Sequence, residues 1–273
     1  MKRYKIGMST CGQMISPEDF SQYAEAGVEK MELSFPCDAY DSVDWGALKR
    51  GADSAGIVLS SIHLPFSAES NPAQLDETIR CASINRFKQI MESSSVTGAD
   101  IYVVHASSEP ILDQQRRDAM ENAKKSLAEL AKFGAEHGVR VAVENLPRTC
   151  LGKNADEILE LISVQENLFV CYDTNHLLDE SGEAFIKRVG KYIITTHFSD
   201  YDFVDERHFL PGEGKINWPE LMDALRQADY CGPLMYELKF SASNIVRSRP
   251  LEPRDFVQNA YELMENKPLT RIV

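Results

Sequence analysis

Short apolar runs rich in β-branched residues alternate along the chain with longer stretches whose apolar positions recur every three or four residues. The first pattern is that of buried strands and the second that of amphipathic helices. Eight runs predict strands: Tyr4–Thr10, Lys30–Phe35, Ile57–His63, Ile101–Ala106, Val139–Leu146, Leu168–Thr174, Tyr192–Ser199 and Pro233–Leu238. Several are apolar almost throughout, as strands covered on both faces are. Between them the helices are marked by caps. Ser16-Pro17-Glu18 opens one with proline at its first position, and Asn154 with Glu157 three residues on resembles a capping box. Ala119, Ala123, Leu127, Leu130 and Ala131 fall on one side of the helix after the fourth strand, which Gly138 ends. Phe256, Ala260 and Leu263 do the same on a helix predicted over Asp255–Glu265, read as closure against the first unit.

Eight such units with no linker between them predict an α/β fold of one domain spanning residues 1–273, a (β/α)8 TIM barrel. An open, doubly wound sheet is the alternative. It is disfavoured because no G-x-G-x-x-G follows the first strand and no G-x-x-x-x-G-K-[ST] occurs anywhere.

Composition narrows the partners. Lys and Arg number 29 against 42 Asp and Glu, a formal charge of −13, which argues against a nucleic-acid partner. No apolar run reaches the roughly 20 residues of a membrane helix, and Met1-Lys2-Arg3-Tyr4-Lys5 leads into a strand instead of an apolar leader, so the expectation is a cytoplasmic protein without a membrane partner. The six cysteines, Cys11, Cys37, Cys81, Cys150, Cys171 and Cys231, are widely spaced with no C-x-x-C pair, and are expected to be reduced and mostly buried.

In a barrel the chemistry sits where the strands end. The third strand closes on His63, the fourth on His105, the fifth on Glu144-Asn145, the sixth on Asp173-Thr174-Asn175-His176, the seventh on His197-Phe198-Ser199-Asp200 and the eighth on Glu237. Six successive strands therefore deliver an ionisable group to one rim, with His208 in the loop after the seventh. Burying so many charges unpaired costs several kcal/mol per ion, and the neighbouring strand residues offer no lysine or arginine to match three acids. A divalent cation is the economical neutraliser. Three carboxylates and an imidazole form a donor set harder than thiolate, which suits manganese, magnesium, cobalt or zinc.

These residues resemble the xylose-isomerase-like TIM-barrel superfamily, specifically its sugar isomerase and epimerase branch, which shares its fold with AP endonuclease of the second family. The resemblance runs from Ile57 to Leu238 and is carried by His63, Val104-His105, Val143-Glu144-Asn145, Tyr172-Asp173-Thr174-Asn175-His176, His197-Phe198-Ser199-Asp200, Arg207-His208-Phe209-Leu210-Pro211-Gly212-Glu213-Gly214 and Tyr236-Glu237. It implies that Glu144, Asp173, His197 and Glu237 ligate one divalent ion, manganese placed first. It implies that His63, His105, His176, Arg207 and His208 line the pocket of a sugar or sugar phosphate, with Asp200 and Arg207 orienting and Glu32 either a support of the centre or a salt-bridged structural acid. The chemistry implied is proton abstraction beside a carbonyl through a metal-stabilised enediolate, with Glu144 and Glu237 as the catalytic pair. Epimerisation, aldose–ketose isomerisation and dehydration of an inosose-like keto-polyol all fit it.

Two other readings stand beside this one. AP endonucleases hold three zinc ions with nine ligands, and His63, His105, Glu144, Asp173, His176, His197, His208 and Glu237 match that pattern, with Glu206 where it has an aspartate. The acidic charge and the lack of basic, aromatic-laced loops oppose a phosphodiesterase. A barrel that only binds a ligand is the other class, since fold does not establish activity. Pro211-Gly212-Glu213-Gly214-Lys215 reads as a tight rim turn in preference to a phosphate loop, and Phe66, Phe198, Phe209, Trp218 and Phe240 as apolar walls. The barrel leaves room for a homo-oligomer.

Overall fold

A computed structural model describes residues 3–241 and 247–272. Eight strands alternate with eight helices: β1 (Ile6–Ser9), α1 (Phe20–Ala26), β2 (Lys30–Leu33), α2 (Trp45–Ala55), β3 (Val58–His63), α3 (Glu77–Ser93), β4 (Ile101–His105), α4 (Arg116–Glu136), β5 (Arg140–Glu144), α5 (Ala155–Ile162), β6 (Leu168–Asp173), α6 (Gly182–Val189), β7 (Ile193–His197), α7 (Trp218–Gln227), β8 (Leu234–Tyr236) and α8 (Pro253–Glu265). All ladders are parallel, in the order β7-β6-β5-β4-β3-β2-β1-β8. Phe198, just past β7, closes the ring: its N–H donates to Met235 O at 2.7 Å and its carbonyl accepts from Glu237 N at 3.2 Å. The TIM barrel predicted from the alternating pattern is the fold.

Local signals act as physics requires. Asn154 caps α5 by accepting from Glu157 N at 3.0 Å, but the Glu157 carboxylate turns to Gly152 N and Arg116 instead of completing a box. Ser16 with Asp19 forms the capping box before α1, around a one-turn 3-10 helix that starts at Pro17. The predicted stripe of α4 is buried, and Gly138 leaves that helix in the left-handed region at φ 70°.

The barrel has two apolar layers. The large one fills the space between strands and helices, with Tyr102, Val104, Val141, Val143, Val170 and Tyr172 pointing outward from the sheet. A small one inside the barrel consists of Ile101, Val103, Ala142 and Cys171, with Ile194 against it. Side chains two residues apart on a strand share a face. Val103, Ala142 and Cys171 therefore place His105, Glu144 and Asp173 inside the same barrel, one layer above. Irregularities in the ladders at Met31/Glu32 and Val170/Cys171 set Glu32 beside Ser61 and Asp173 beside His197. No described helix is long and apolar enough to cross a membrane. All six cysteines are free, but only Cys150 and Cys171 are buried, which corrects the expectation of mostly buried thiols: Cys81 and Cys231 are exposed and Cys11 and Cys37 half-buried.

Candidate metal centre and active-site cavity

Glu144, Asp173, His197 and Glu237 each bring one donor atom to within 4.8 Å of the others. His197 Nδ1 lies 3.3 Å from Glu144 Oε1, 3.3 Å from Glu237 Oε2 and 3.8 Å from Asp173 Oδ2. Asp173 and His197 are fully buried and Glu144 nearly so. Asp173 Oδ2 and His197 Nδ1 are both buried without a hydrogen-bond partner, and both face this meeting point. Two orphaned donors among three carboxylates form a concentration of lone pairs that a dry interior does not tolerate without a proton or a cation.

The imidazole is oriented from behind. His197 Nε2 lies 2.8 Å from Glu32 Oε1, whose other oxygen accepts from Ser61 Oγ at 2.8 Å. A proton on Nε2 donated to Glu32 leaves Nδ1 with its lone pair toward the carboxylates, the arrangement by which metal-binding histidines are fixed in tautomer and direction. Glu32 is fully buried. Asn145 positions the next strand in the same manner, donating to Asp173 O at 2.9 Å and accepting from Asp173 N at 2.8 Å.

Protons balance the charges in the absence of a cation. Burial lifts the Asp173 carboxyl to about 8, and the neighbouring Glu144 and Glu237 push it the same way. Burial alone would lower His197, but Cys171, Glu32, Glu144 and Glu237 around it raise it well above the ordinary histidine value. Burial works to raise Glu144, yet His197, His105 and His176 hold it well below the usual carboxylate range.

Above the quartet lies a cavity of about 510 Å³. His63 Nε2 and His105 Nε2 approach Glu144 Oε2 at 3.0 and 3.3 Å, while Glu144 Oε1 faces the quartet. Phe66, half exposed, stacks on His105 with ring centroids 4.1 Å apart. His176 donates from Nδ1 to Asn145 O at 3.0 Å, and its Nε2 lies 3.1 Å from Glu206 Oε2. His208, in a left-handed backbone at φ 55°, stands beside Glu237. His63, His105, His176 and His208 all line the cavity. Three further donor groups, His63–His105–Glu144, Glu144–Cys171–His197 and His176–Glu206–His208, have atoms as close together as the quartet's.

Arg207 and Asp200 are not brought to the cavity. Arg207 Nε donates to Asp202 Oδ2 at 2.9 Å, a carboxylate already fixed by the N–H groups of Val204 and Asp205. Asp200 is fully buried and staples its own loop, accepting from Gly212 N at 2.8 Å, Ile216 N at 3.1 Å and Trp218 Nε1 at 2.9 Å. The glycines there fit a rim turn: a Cβ on Gly214 would stand 2.3 Å from Asp200 Oδ1, and the Gly212 N–H is already given to a carboxylate. Phe198 and Trp218 pack on each other behind the rim. Arg148 and Glu206 also line the cavity; the sequence marks Glu206 only as standing at a ligand position of the three-zinc pattern, and Arg148 not at all. Their signal is slight, since both sit in irregular loops, Arg148 at φ 54°.

The chain is 27% identical over 187 residues to an uncharacterized protein of Methanocaldococcus jannaschii, a match covering 65% of this chain and 64% of that one. It is 23% identical to fructoselysine 3-epimerase of Escherichia coli O157:H7, covering 94% of this chain and 96% of the relative. With D-psicose 3-epimerase of Ruminiclostridium cellulolyticum it shares 26% identity over 88% of this chain and 84% of the other. Among solved structures, a D-tagatose 3-epimerase-like protein superposes with a TM-score of 0.79 at 21% identity, covering 96% of this chain and 98% of that one. The model of the xylose isomerase-like TIM barrel family matches residues 20–257, and the chain belongs to that family.

Proposed function

We propose that the protein is a metal-dependent sugar epimerase or isomerase that moves a proton on the carbon beside a ketose carbonyl. The observation that carries the reading is the pair of orphaned buried donors, Asp173 Oδ2 and His197 Nδ1, converging with Glu144 and Glu237. That donor set fits one divalent cation, manganese first and magnesium, cobalt or zinc as alternatives. A cation bound there supplies Lewis-acid stabilisation to the negative charge that develops on the sugar oxygens. Glu237 and Glu144, on strands three places apart in the ring, are the two proton-transfer groups, one taking the proton from carbon and the other returning one from the opposite side. His63 and His105 hold Glu144 Oε2, so that its carboxylate cannot rotate away from the sugar. His176 and His208 bound the sugar's hydroxyls. Delivery of the proton to the same carbon gives epimerisation, the activity named for two of the relatives, and delivery to the neighbouring carbon gives isomerisation; loss of a β-hydroxyl gives dehydration.

The test is incubation with free and phosphorylated ketoses and inositol ketones in D2O with Mn2+, read by NMR. Deuterium is expected to enter beside the carbonyl, to stop once chelator has verifiably removed the metal, and to be lost in the folded Glu144→Gln/Glu237→Gln variant. Exchange that survives either treatment contradicts the reading. A multinuclear phosphodiesterase is the second reading, favoured by the donor groups His63–His105–Glu144 and His176–Glu206–His208. Nicking of abasic DNA without any exchange would select it.

A further inference from the structure

Among the described residues, Arg148 is the single arginine or lysine that lines the cavity, and its guanidinium is fully engaged. Nε and one terminal nitrogen hold Glu109 at 3.0 and 2.5 Å, the other terminal nitrogen holds Asp205 Oδ1 at 2.5 Å, and Glu206 Oε1 stands at 3.1 Å. Three carboxylates thus surround one guanidinium, and they come from the loops after β4 and β7 to meet Arg148 in the loop after β5. Exposed Lys239 does not line the cavity.

Glu206 links this clasp to the cavity floor. Its Oε2 lies 3.1 Å from His176 Nε2, and His176 is held at its other nitrogen by Asn145 O. His176 Nε2 therefore faces the Glu206 carboxylate, and a ligand that reaches His176 also meets a carboxylate oxygen. An ionised carboxylate only accepts hydrogen bonds. Its partner on the ligand must be a donor.

We propose that Glu206 is the specificity-determining residue of the cavity: it accepts a hydrogen bond from a sugar hydroxyl and repels a phosphate, so the substrates are unphosphorylated keto sugars. The proposal rests on the proton-transfer reading above and names the charge of its substrate. Two unit charges about 4 Å apart near a protein surface repel by a few kcal/mol, enough for a tenfold or larger effect on binding. Arg148 cannot offset this, because a phosphate would have to displace Glu109, Asp205 or Glu206 from it.

The test is calorimetric binding of a panel of free ketoses and their 6-phosphates to the Mn2+-loaded protein and to Glu206→Gln, whose melting temperature is checked against the parent. The expected result is phosphate esters bound at least about tenfold more weakly than the matching free sugars in the parent protein. In Glu206→Gln that gap should narrow severalfold while the free sugar loses affinity. Equal binding of both forms by the parent protein, or an unchanged ratio in the variant, overturns the proposal. Deuterium exchange would persist in that case, so the failure is distinct from failure of the proton-transfer reading. Absence of binding by every free ketose overturns both.

Discussion

At the scale of single residues, the centre is defined by what each donor cannot satisfy alone. Asp173 has one oxygen on the Asn175 N–H at 2.6 Å and the other buried and orphaned, so a charge on the carboxylate is only half satisfied. Its carboxyl is raised to about 8, against an ordinary value of 3.8. The folded protein therefore binds a proton that the unfolded chain has released anywhere between those values, and without metal the folded state loses stability from this group as pH rises through that window. Cation binding must expel the proton. Metal affinity is thus expected to rise with pH and level off above about 8, with proton release visible by calorimetry in buffers of different ionisation enthalpy. Asp173→Asn removes the titration: the metal-free variant should melt higher than the parent at pH 8. A parent protein whose metal affinity is flat from pH 6 to 9 contradicts this assignment.

At the scale of elements, the loop after β7 decides how the cavity wall is built. Four acids lie between residues 200 and 206 of this loop, and they do four different things. Asp200 staples the loop, Asp202 holds Arg207, Asp205 holds Arg148, and Glu206 reaches His176. Asp200→Ala leaves the N–H groups of Tyr201, Gly212 and Ile216 and the Trp218 indole without their acceptor in a buried place. A loss of about 3 kcal/mol or more is expected from denaturant unfolding, because unmade buried hydrogen bonds to a charged group cost more than exposed ones. Sugar affinity should fall with it, since Phe209 and His208 are carried by the same loop. Stability within about 0.5 kcal/mol of the parent would show that the staple is dispensable.

The same loop shows why some of the site was legible in sequence and some was not. Strand-end donors were readable because a strand fixes side-chain direction by parity: Glu144 stands two residues past Ala142 and Asp173 two past Cys171, so an acid that ends an apolar run must point where the run's inner face points. Glu32 was visible as an acid interrupting an apolar strand, but only the contact to His197 separates a support from a salt bridge. In the loops no period exists. Arg207, expected in the pocket, faces Asp202, whereas Arg148 carries no mark and Glu206 only its likeness to a zinc ligand, because nothing in an irregular segment says which charge turns inward. Strand limits differ for a related reason: the run Tyr192–Ser199 continues past β7 as a lone bridge at Phe198, since β8 is only three residues long and offers little to pair with.

For the whole molecule, the barrel acts as a frame that holds incompatible charges together. Eight strands fix the backbone, the apolar plug of Val103, Ala142 and Cys171 seals the floor beneath the acids, and the helices carry the apolar burial that offsets keeping them dry. A net charge of −13 and a cavity wall with four carboxylates against a single arginine suit a small polar substrate drawn to a cation better than a polyanion. The most direct measurement of the central claim is titration of chelator-stripped protein with Mn2+ by isothermal calorimetry, alongside Asp173→Asn and a circular dichroism check of fold. The account predicts saturable binding by the parent protein that the folded variant loses. No binding by the stripped parent, or undiminished binding by Asp173→Asn, would contradict it.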